Sequence, residues 1–244
     1  MASEVKYTRN LEKEMNIQPI IDMDQTLLLW LNGGDCLFLD NLMAVLTSGL
    51  TWIPLYLALL VAVIKNNETV TQIVLIVGCA LLCVVLADGG ADFIAKPYFH
   101  RFRPSNDPVI KYAVHVVGGV RGGDYGFFSA HAANTFSLAL FFTLLMRDRL
   151  LGGVMVVWSL LNCYTRIYLG LHYPGDVLVG LAWGALCGLA AYFVYRKVYY
   201  RVSPKINYIS SQYSSTGYGL ADIMNVAIVF LLTLLYAVFR ALVA

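Results

Sequence analysis

The chain is 244 residues long, 59% apolar and 13% charged, with a formal net charge of +2 and a mean hydropathy of +0.68. Ordinary soluble domains are roughly 45–50% apolar and about 25% charged, so this composition excludes disorder and points to a protein whose main solvent is lipid. With 17 Lys and Arg against 15 Asp and Glu, and no basic run, nothing in the charge attracts nucleic acid.

Residues 1–20 carry Glu4, Lys6, Arg9, Glu12, Lys13 and Glu14 and no apolar stretch, so no cleavable secretory signal is expected there. Two amphipathic pieces follow, 24–31 and 36–47, separated by the turn sequence Asn32-Gly33-Gly34-Asp35. Their mixed polarity suits the membrane interface better than a span. Six stretches then read as membrane-crossing helices: 50–64, 70–94, 131–146, 151–168, 175–195 and 223–243, the first and third being short. The expected fold is an all-α polytopic membrane helical bundle of about six transmembrane helices. It divides into an N-terminal tail with interfacial helices (1–49), a membrane domain (50–197), and a cytoplasmic linker with an extra C-terminal helix (198–244).

Five cysteines, Cys36, Cys79, Cys83, Cys163 and Cys187, predict no disulfide framework, since the number is odd and at least Cys79, Cys83 and Cys187 lie in apolar stretches. Cys79 and Cys83 share a helix face, but the stretch offers no further soft ligand for a metal. Cytoplasmic loops collect Lys and Arg. If the 97–128 loop is outside, Lys65, Arg147, Arg149, Arg196, Lys197, Arg201 and Lys205 fall inside. The same choice strands Lys96, Arg101, Arg103, Lys111, Arg121 and Arg166 outside, which requires that some of them have another task.

That task is legible in three stretches at the outer ends of the spans. Lys96 to Pro104 closes the second span, Phe128-Ser129-Ala130-His131 opens the third, and Thr165 to Asp176 bridges the fourth and fifth. Two like charges 4 Å apart repel by about 4 kcal/mol at an effective dielectric near 20. Lys96, Arg103 and Arg166 therefore come together at low cost only around an anion, and guanidinium forks match phosphate oxygens. Ser129 and the N–H groups opening the third span, Ala130 among them, add donors at a helix start. His172 and Asp176 are four residues apart and share a helical face, so the carboxylate can hold one ring nitrogen and leave the other as a nucleophile. His131 is placed to protonate a leaving group. Each piece also has a plainer reading: interfacial anchors for the cations, a helix cap for Ser129, a shaped turn for Gly170, Pro174 and Gly175. Chance rarely supplies all three groups together. A divalent metal is opposed by the neighbouring cations, and no metal or cofactor is expected.

The three stretches resemble the signature of the type 2 phosphatidic acid phosphatase (PAP2) superfamily, K-x6-R-P, P-S-G-H and S-R-x5-H-x3-D. Lys96-x6-Arg103-Pro104 matches fully, Ser129 and His131 match the second motif, and Arg166, His172 and Asp176 match the third. Phe128 stands for Pro, Ala130 for Gly and Thr165 for Ser; none of these removes a charged or nucleophilic group. The resemblance covers about residues 50–195 and implies a metal-independent membrane phosphatase with a PAP2/haloperoxidase-like core. It further implies that Lys96, Arg103 and Arg166 bind phosphate, with help from Ser129 and the Ala130 N–H. His172 would attack phosphorus to form a phosphohistidine, His131 would act as the acid, and Asp176 would orient His172.

The expected function is hydrolysis of a lipid phosphomonoester or diphosphate in a bacterial cytoplasmic (inner) membrane, with the site facing the periplasm or outside. Undecaprenyl diphosphate, lipid A phosphate, phosphatidylglycerol phosphate and phosphatidic acid are all compatible. The expected partners are such a lipid and the bilayer, with no protein partner. The same residues would serve a lipid phosphotransferase, and a vanadium-dependent haloperoxidase resembles the same constellation, although the high membrane content opposes it. A non-enzymatic anion transporter or lipid-binding scaffold is the competing class; a transporter would place its charges near the bilayer midplane, whereas here they gather at span ends. Asp88 and Asp92 are candidates to orient Lys96 or Arg103, and the Gly-rich run 118–126, with Arg121, Asp124 and Tyr125, is a candidate cover for the pocket.

Overall fold

Nine α-helices follow one another among the described residues of the computed structural model, which are 18–34, 36–119, 121–202 and 211–244. They are α1 (18–31), α2 (Leu37–Thr47), α3 (Ile53–Lys65), α4 (Val70–Asp88), α5 (Lys96–Phe99), α6 (Ala130–Met146), α7 (Arg149–Tyr168), α8 (Pro174–Val202) and α9 (Leu220–Val243). Among the described residues the only β-type pairings are two isolated bridges, Phe102 with Tyr125 and Tyr213 with Gly219. The expectations for residues 1–17, Asp35 and Lys205 lie outside the described residues.

The protein is an all-helical, multi-pass membrane bundle, but the expected six spans are not all recovered by length and apolarity. Four helices qualify: the α4–α5 run over Val70–Phe99, α7, α8 and α9. The pair Leu37–Thr47 and Gly49–Lys65 forms one further candidate only if it is counted across a 67° bend, and Ala130–Met146 is a shorter apolar helix. The bend has a local chemistry. Thr51 Oγ1 donates to the Val45 carbonyl at 2.6 Å and Trp52 Nε1 to the Leu46 carbonyl at 2.8 Å, so carbonyls freed at the break are satisfied without water.

The second expected span is regular only to Asp88; from Gly89 to Ala95 it widens into a π-helix. Pro97 follows directly, and its ring would clash with the carbonyl four residues back in a regular α-helix, a conflict that a wider turn relieves. Helix starts are capped by their own side chains: Thr69 and Gln72 form a capping box on α4, Ser129 caps α6, and Asp148 caps α7.

The closest helix packing joins α6 and α8. Gly180, Gly184 and Gly188 form a ridge with small-residue spacing; a Cβ there would lie 2.6 Å from the Ser129 carbonyl oxygen, 2.5 Å from that of Ala133 and 2.7 Å from that of Ser137. Two backbones meet almost directly, as small residues allow in lipid. The main core runs from Leu46, Trp52 and Leu59 through Met155 and Trp158 to Phe230 and Ala237, so α9 packs with α2 and α3 in the same interior. At one end of the bundle Lys65 pairs with Asp222 at 2.6 Å and Thr216 bonds the Met146 carbonyl. The other end holds the starts of α6 and α8, the end of α7, and α1.

Candidate active site

The site is assembled from segments that are irregular for identifiable reasons. α7 ends where Gly170 takes a positive φ of 64°, a conformation that glycine reaches without penalty. The chain then folds back, and Leu171 N and His172 N both donate to the Arg166 carbonyl, at 3.0 and 3.2 Å. This fixes His172 beside Arg166 at the mouth of the bundle. Asp176 follows in the first turn of α8, and its carbonyl accepts from Ser129 N at 3.1 Å, locking the α8 start to the α6 start.

His172 is 2% exposed and Asp176 fully buried. Arg103 Nη1 lies 3.3 Å from His172 Nε2 and 3.4 Å from the Leu171 carbonyl oxygen. A guanidinium only donates, so Nε2 is the acceptor and the proton sits on Nδ1. Nδ1 faces Asp176 Oδ2 at 3.7 Å, beyond hydrogen-bond distance, and has no hydrogen-bond partner among the described residues. The carboxylate therefore faces the ring without holding it; such bonds are often long before substrate binds and tighten afterwards. Burial pushes the His172 pKa down to about 4, with the Arg103 and Arg166 charges adding to the effect and Asp176 opposing it.

Arg103 is carried by an extended segment that pairs with the Gly-rich run: Arg103 N donates to the Asp124 carbonyl at 2.9 Å and Gly126 N to the Arg101 carbonyl at 2.8 Å. Gly122 and Gly126 lie flat against its side chain; a Cβ would stand 2.7 Å from Nη1 at the first and 2.9 Å from Cγ at the second. The run thus packs on the guanidinium. Burial holds the Arg103 pKa below its ordinary value, although Asp176 and Asp92 oppose this. Arg166 Nη1 donates to Thr47 Oγ1 at 2.8 Å, reaching across to α2. The Nε atoms of Arg103 and Arg166 are both buried without a hydrogen-bond partner among the described residues.

Lys96 pairs with Asp92 one turn earlier, while Asp88 accepts from Asn134 Nδ2 at 2.6 Å. Of the two candidate acids, Asp92 is the one on Lys96. Ser129 is fully buried and caps α6 through Oγ, which accepts from Ala132 N at 3.5 Å, leaving its own hydrogen free to donate. Ala130 and the exposed His131 open the helix. Ser129 N on the Asp176 carbonyl and Arg103 Nη1 beside His172 Nε2 bring the three stretches together at the α6 start. His115, outside the three motifs, bonds Asp40 at 3.2 Å, and His100 packs edge-on against Tyr125.

The sequence marked Arg101 only as a cation on the outer side and gave neither it nor Asp24 a role at the site. Arg101 Nη1 donates to Asp176 Oδ1 at 2.7 Å and Nη2 to Asp24 Oδ2 at 2.6 Å. Burial works against its charge, but the two carboxylates outweigh that and raise its pKa. Arg101 lies inside the Lys96-x6-Arg103 spacing, where no residue type is specified, and Asp24 sits in a helix remote in sequence; an acidic residue facing inward on α1 was the one available signal.

A sequence model of the PAP2 superfamily matches residues 70–200. A lipid A 4'-phosphatase of Bacteroides thetaiotaomicron is 39% identical over 183 residues, covering 75% of this chain and 81% of the relative. A lipid A 4'-phosphatase of Porphyromonas gingivalis is 36% identical over 178 residues, covering 72% and 74%. The crystal structure of Aquifex aeolicus LpxE superposes with a TM-score of 0.51 at 23% identity, over 68% of this chain and 92% of that one, a likeness of fold.

Proposed function

This chain belongs to the PAP2 superfamily, and on that premise we propose that it removes a phosphate from lipid A through a phosphohistidine on His172. It is a membrane lipid phosphatase of the PAP2 type, a phosphoric-ester hydrolase. Lipid A phosphate is favoured over undecaprenyl diphosphate, phosphatidylglycerol phosphate and phosphatidic acid by the two lipid A 4'-phosphatase relatives. The observation that carries the chemistry is the 3.3 Å approach of Arg103 Nη1 to His172 Nε2. It puts an unprotonated ring nitrogen beside a cation, where a phosphoryl group would be both held and attacked.

In this mechanism Arg103, Arg166 and Lys96 neutralise the phosphate oxygens, and the Ser129 hydroxyl and Ala130 N–H donate to them. Phosphoryl transfer is mainly a matter of positioning and charge stabilisation, which a rigid cationic cage supplies. Arg103 Nη1 turns from Nε2 to a phosphate oxygen, and the freed Nε2 lone pair of His172 forms a bond to phosphorus as the bond from phosphorus to the lipid oxygen breaks. His131 gives its proton to that oxygen. The ring now carries a positive charge, with its hydrogen on Nδ1 turned to the Asp176 carboxylate. A water then attacks phosphorus, His131 takes its proton, and His172 is released as neutral imidazole. The catalytic groups all fall within residues 50–197. Placing Lys65, Arg147 and Arg149 on the cytoplasmic side puts the site on the periplasmic face of the inner membrane.

The test is phosphate release by detergent-purified wild type and His172→Asn, with EDTA present, from each of the four lipids. Release from lipid A by wild type alone, with radiolabelled phosphate trapped on the protein as an acid-labile, base-stable adduct, is the expected result. Equal turnover by the variant overturns the assignment, and preferred release from another lipid replaces the substrate.

A further inference from the structure

A short chain of charges behind His172 reaches a helix that the family model does not match. Asp176 has two anchors: Oδ1 accepts from Arg101 Nη1 at 2.7 Å and Oδ2 from Tyr173 N at 3.1 Å. Arg101 is itself shared, since its Nη2 donates to Asp24 Oδ2 at 2.6 Å. Asp24 completes a loop back to α8, because its Oδ1 accepts from Gly175 N at 2.8 Å. The fit is close: a Cβ on Gly175 would stand 2.7 Å from Asp24 Oδ2. The guanidinium also lies 4.1 Å over the Tyr173 ring, whose hydroxyl donates to Asp107 Oδ2 at 2.7 Å. Arg101 is thus held in place from α1, from the α8 start and from the loop.

Electrostatics gives this sharing a purpose. A buried carboxylate needs a partner, yet a guanidinium given wholly to Asp176 would damp the negative charge that must face the His172 ring when it becomes cationic. A second carboxylate on the same guanidinium draws on the cation, so Asp176 is anchored and still acts as an anion toward His172. We propose that Asp24 is a positioning residue for the phosphatase reaction, setting through Arg101 the place and the effective charge of the Asp176 carboxylate that faces His172. The inference rests on the reading of His172 as nucleophile.

The full-length chain in detergent, with lipid A as substrate, tests it in five forms: wild type, Asp24→Asn, Asp24→Glu, Arg101→Gln and His172→Asn. Asp24→Asn keeps an acceptor for Gly175 N and loses both the charge and the acceptor that holds Arg101 Nη2. It is expected to lower kcat about tenfold with KM within about twofold of wild type, and Asp24→Glu to recover part of the loss. A clamp that merely ties α1 to α8 would not move the titration of the His172 ring, followed by NMR and assigned by its loss in His172→Asn. That ring should titrate at lower pH in Asp24→Asn, where Arg101 turns wholly to Asp176, and at higher pH in Arg101→Gln. The other charged groups around it, Arg103, Arg166, Asp176 and His131, are the same in both variants. Should Asp24→Asn fail to fold, Gly175→Ala crowds the same carboxylate without altering its charge and should move kcat and the ring in the Asp24→Asn direction. Unchanged kcat, or shifts of the same sign in Asp24→Asn and Arg101→Gln, overturns the proposal. Equal turnover by His172→Asn overturns the nucleophile reading instead, whatever Asp24 does.

Discussion

Arg103 Nη1 donates toward His172 Nε2 across 3.3 Å, and this one contact assigns the tautomer of the histidine. The nitrogen that faces the cations carries the lone pair, and the nitrogen that faces Asp176 carries the hydrogen. Nucleophile and phosphate binder are therefore organised by a single guanidinium.

The pH behaviour follows from that environment. His172 has a pKa lowered from 6.5 to about 4 by burial, so the ring is neutral and competent at all pH values above about 4. Its part of the activity is lost as pH falls through about 4, well below the range of an ordinary histidine. The unfolded chain binds the proton more readily between these two values, so His172 also makes the native state less stable as pH falls from 6.5 toward about 4. Titration of the ring by NMR in the wild-type protein checks this; a midpoint near 6.5 would refute it.

Gly122 lies where a Cβ would come 2.7 Å from Arg103 Nη1. Gly122→Ala is expected to displace the guanidinium from His172 and lower kcat/KM by about tenfold, since small misplacements at a reacting centre are costly. Steady-state kinetics with an unchanged melting temperature would separate this effect from unfolding.

Arg166 holds Thr47 at 2.8 Å with Nη1 and keeps a buried, unpartnered Nε. Arg166→Lys preserves the charge but replaces a planar fork by a point charge, so kcat/KM should fall by about ten- to a hundredfold, the loss of a charged hydrogen bond being worth about 1.5–3 kcal/mol. Thr47→Val removes only the anchor and should cost less. Equal activity in Arg166→Lys and wild type would contradict the role given to the fork.

Gly184 separates α8 from α6 by backbone alone, a Cβ there falling 2.5 Å from the Ala133 carbonyl oxygen. Backbone cannot yield as a flexible side chain would. Gly184→Val should destabilise the protein in detergent by about 1–3 kcal/mol and disturb the α6 start that carries Ser129 and His131. Thermal unfolding followed alongside activity measures both, and a melting temperature equal to wild type would show that the contact is dispensable.

The helical, membrane-embedded character and the order of the elements were legible because apolar length and capping are local properties: Ser129, a cap candidate in the sequence, caps α6 in the structure. That Arg103, Ser129, Arg166, His172 and Asp176 lie near one another was legible in their three stretches, whereas Lys96 is seen paired with Asp92. The second expected span is recovered over Val70–Phe99, but its π-helical stretch Gly89–Ala95 was not legible, because apolar count does not register turn width. The bent pair before Lys65 eluded the pattern for a related reason, since hydropathy does not register direction.

Amino-acid sequence alone thus determined the solvent of the protein, its helices and the chemical types brought to one end of them, all consequences of composition and near-neighbour spacing. Tertiary structure decided which partner each charge takes. Asp92 rather than Asp88 pairs with Lys96, Thr47 holds Arg166, and Asp24 reaches Arg101. Those choices depend on distances between residues far apart in the chain, set by how closely backbones such as α6 and α8 approach, and no local rule encodes them.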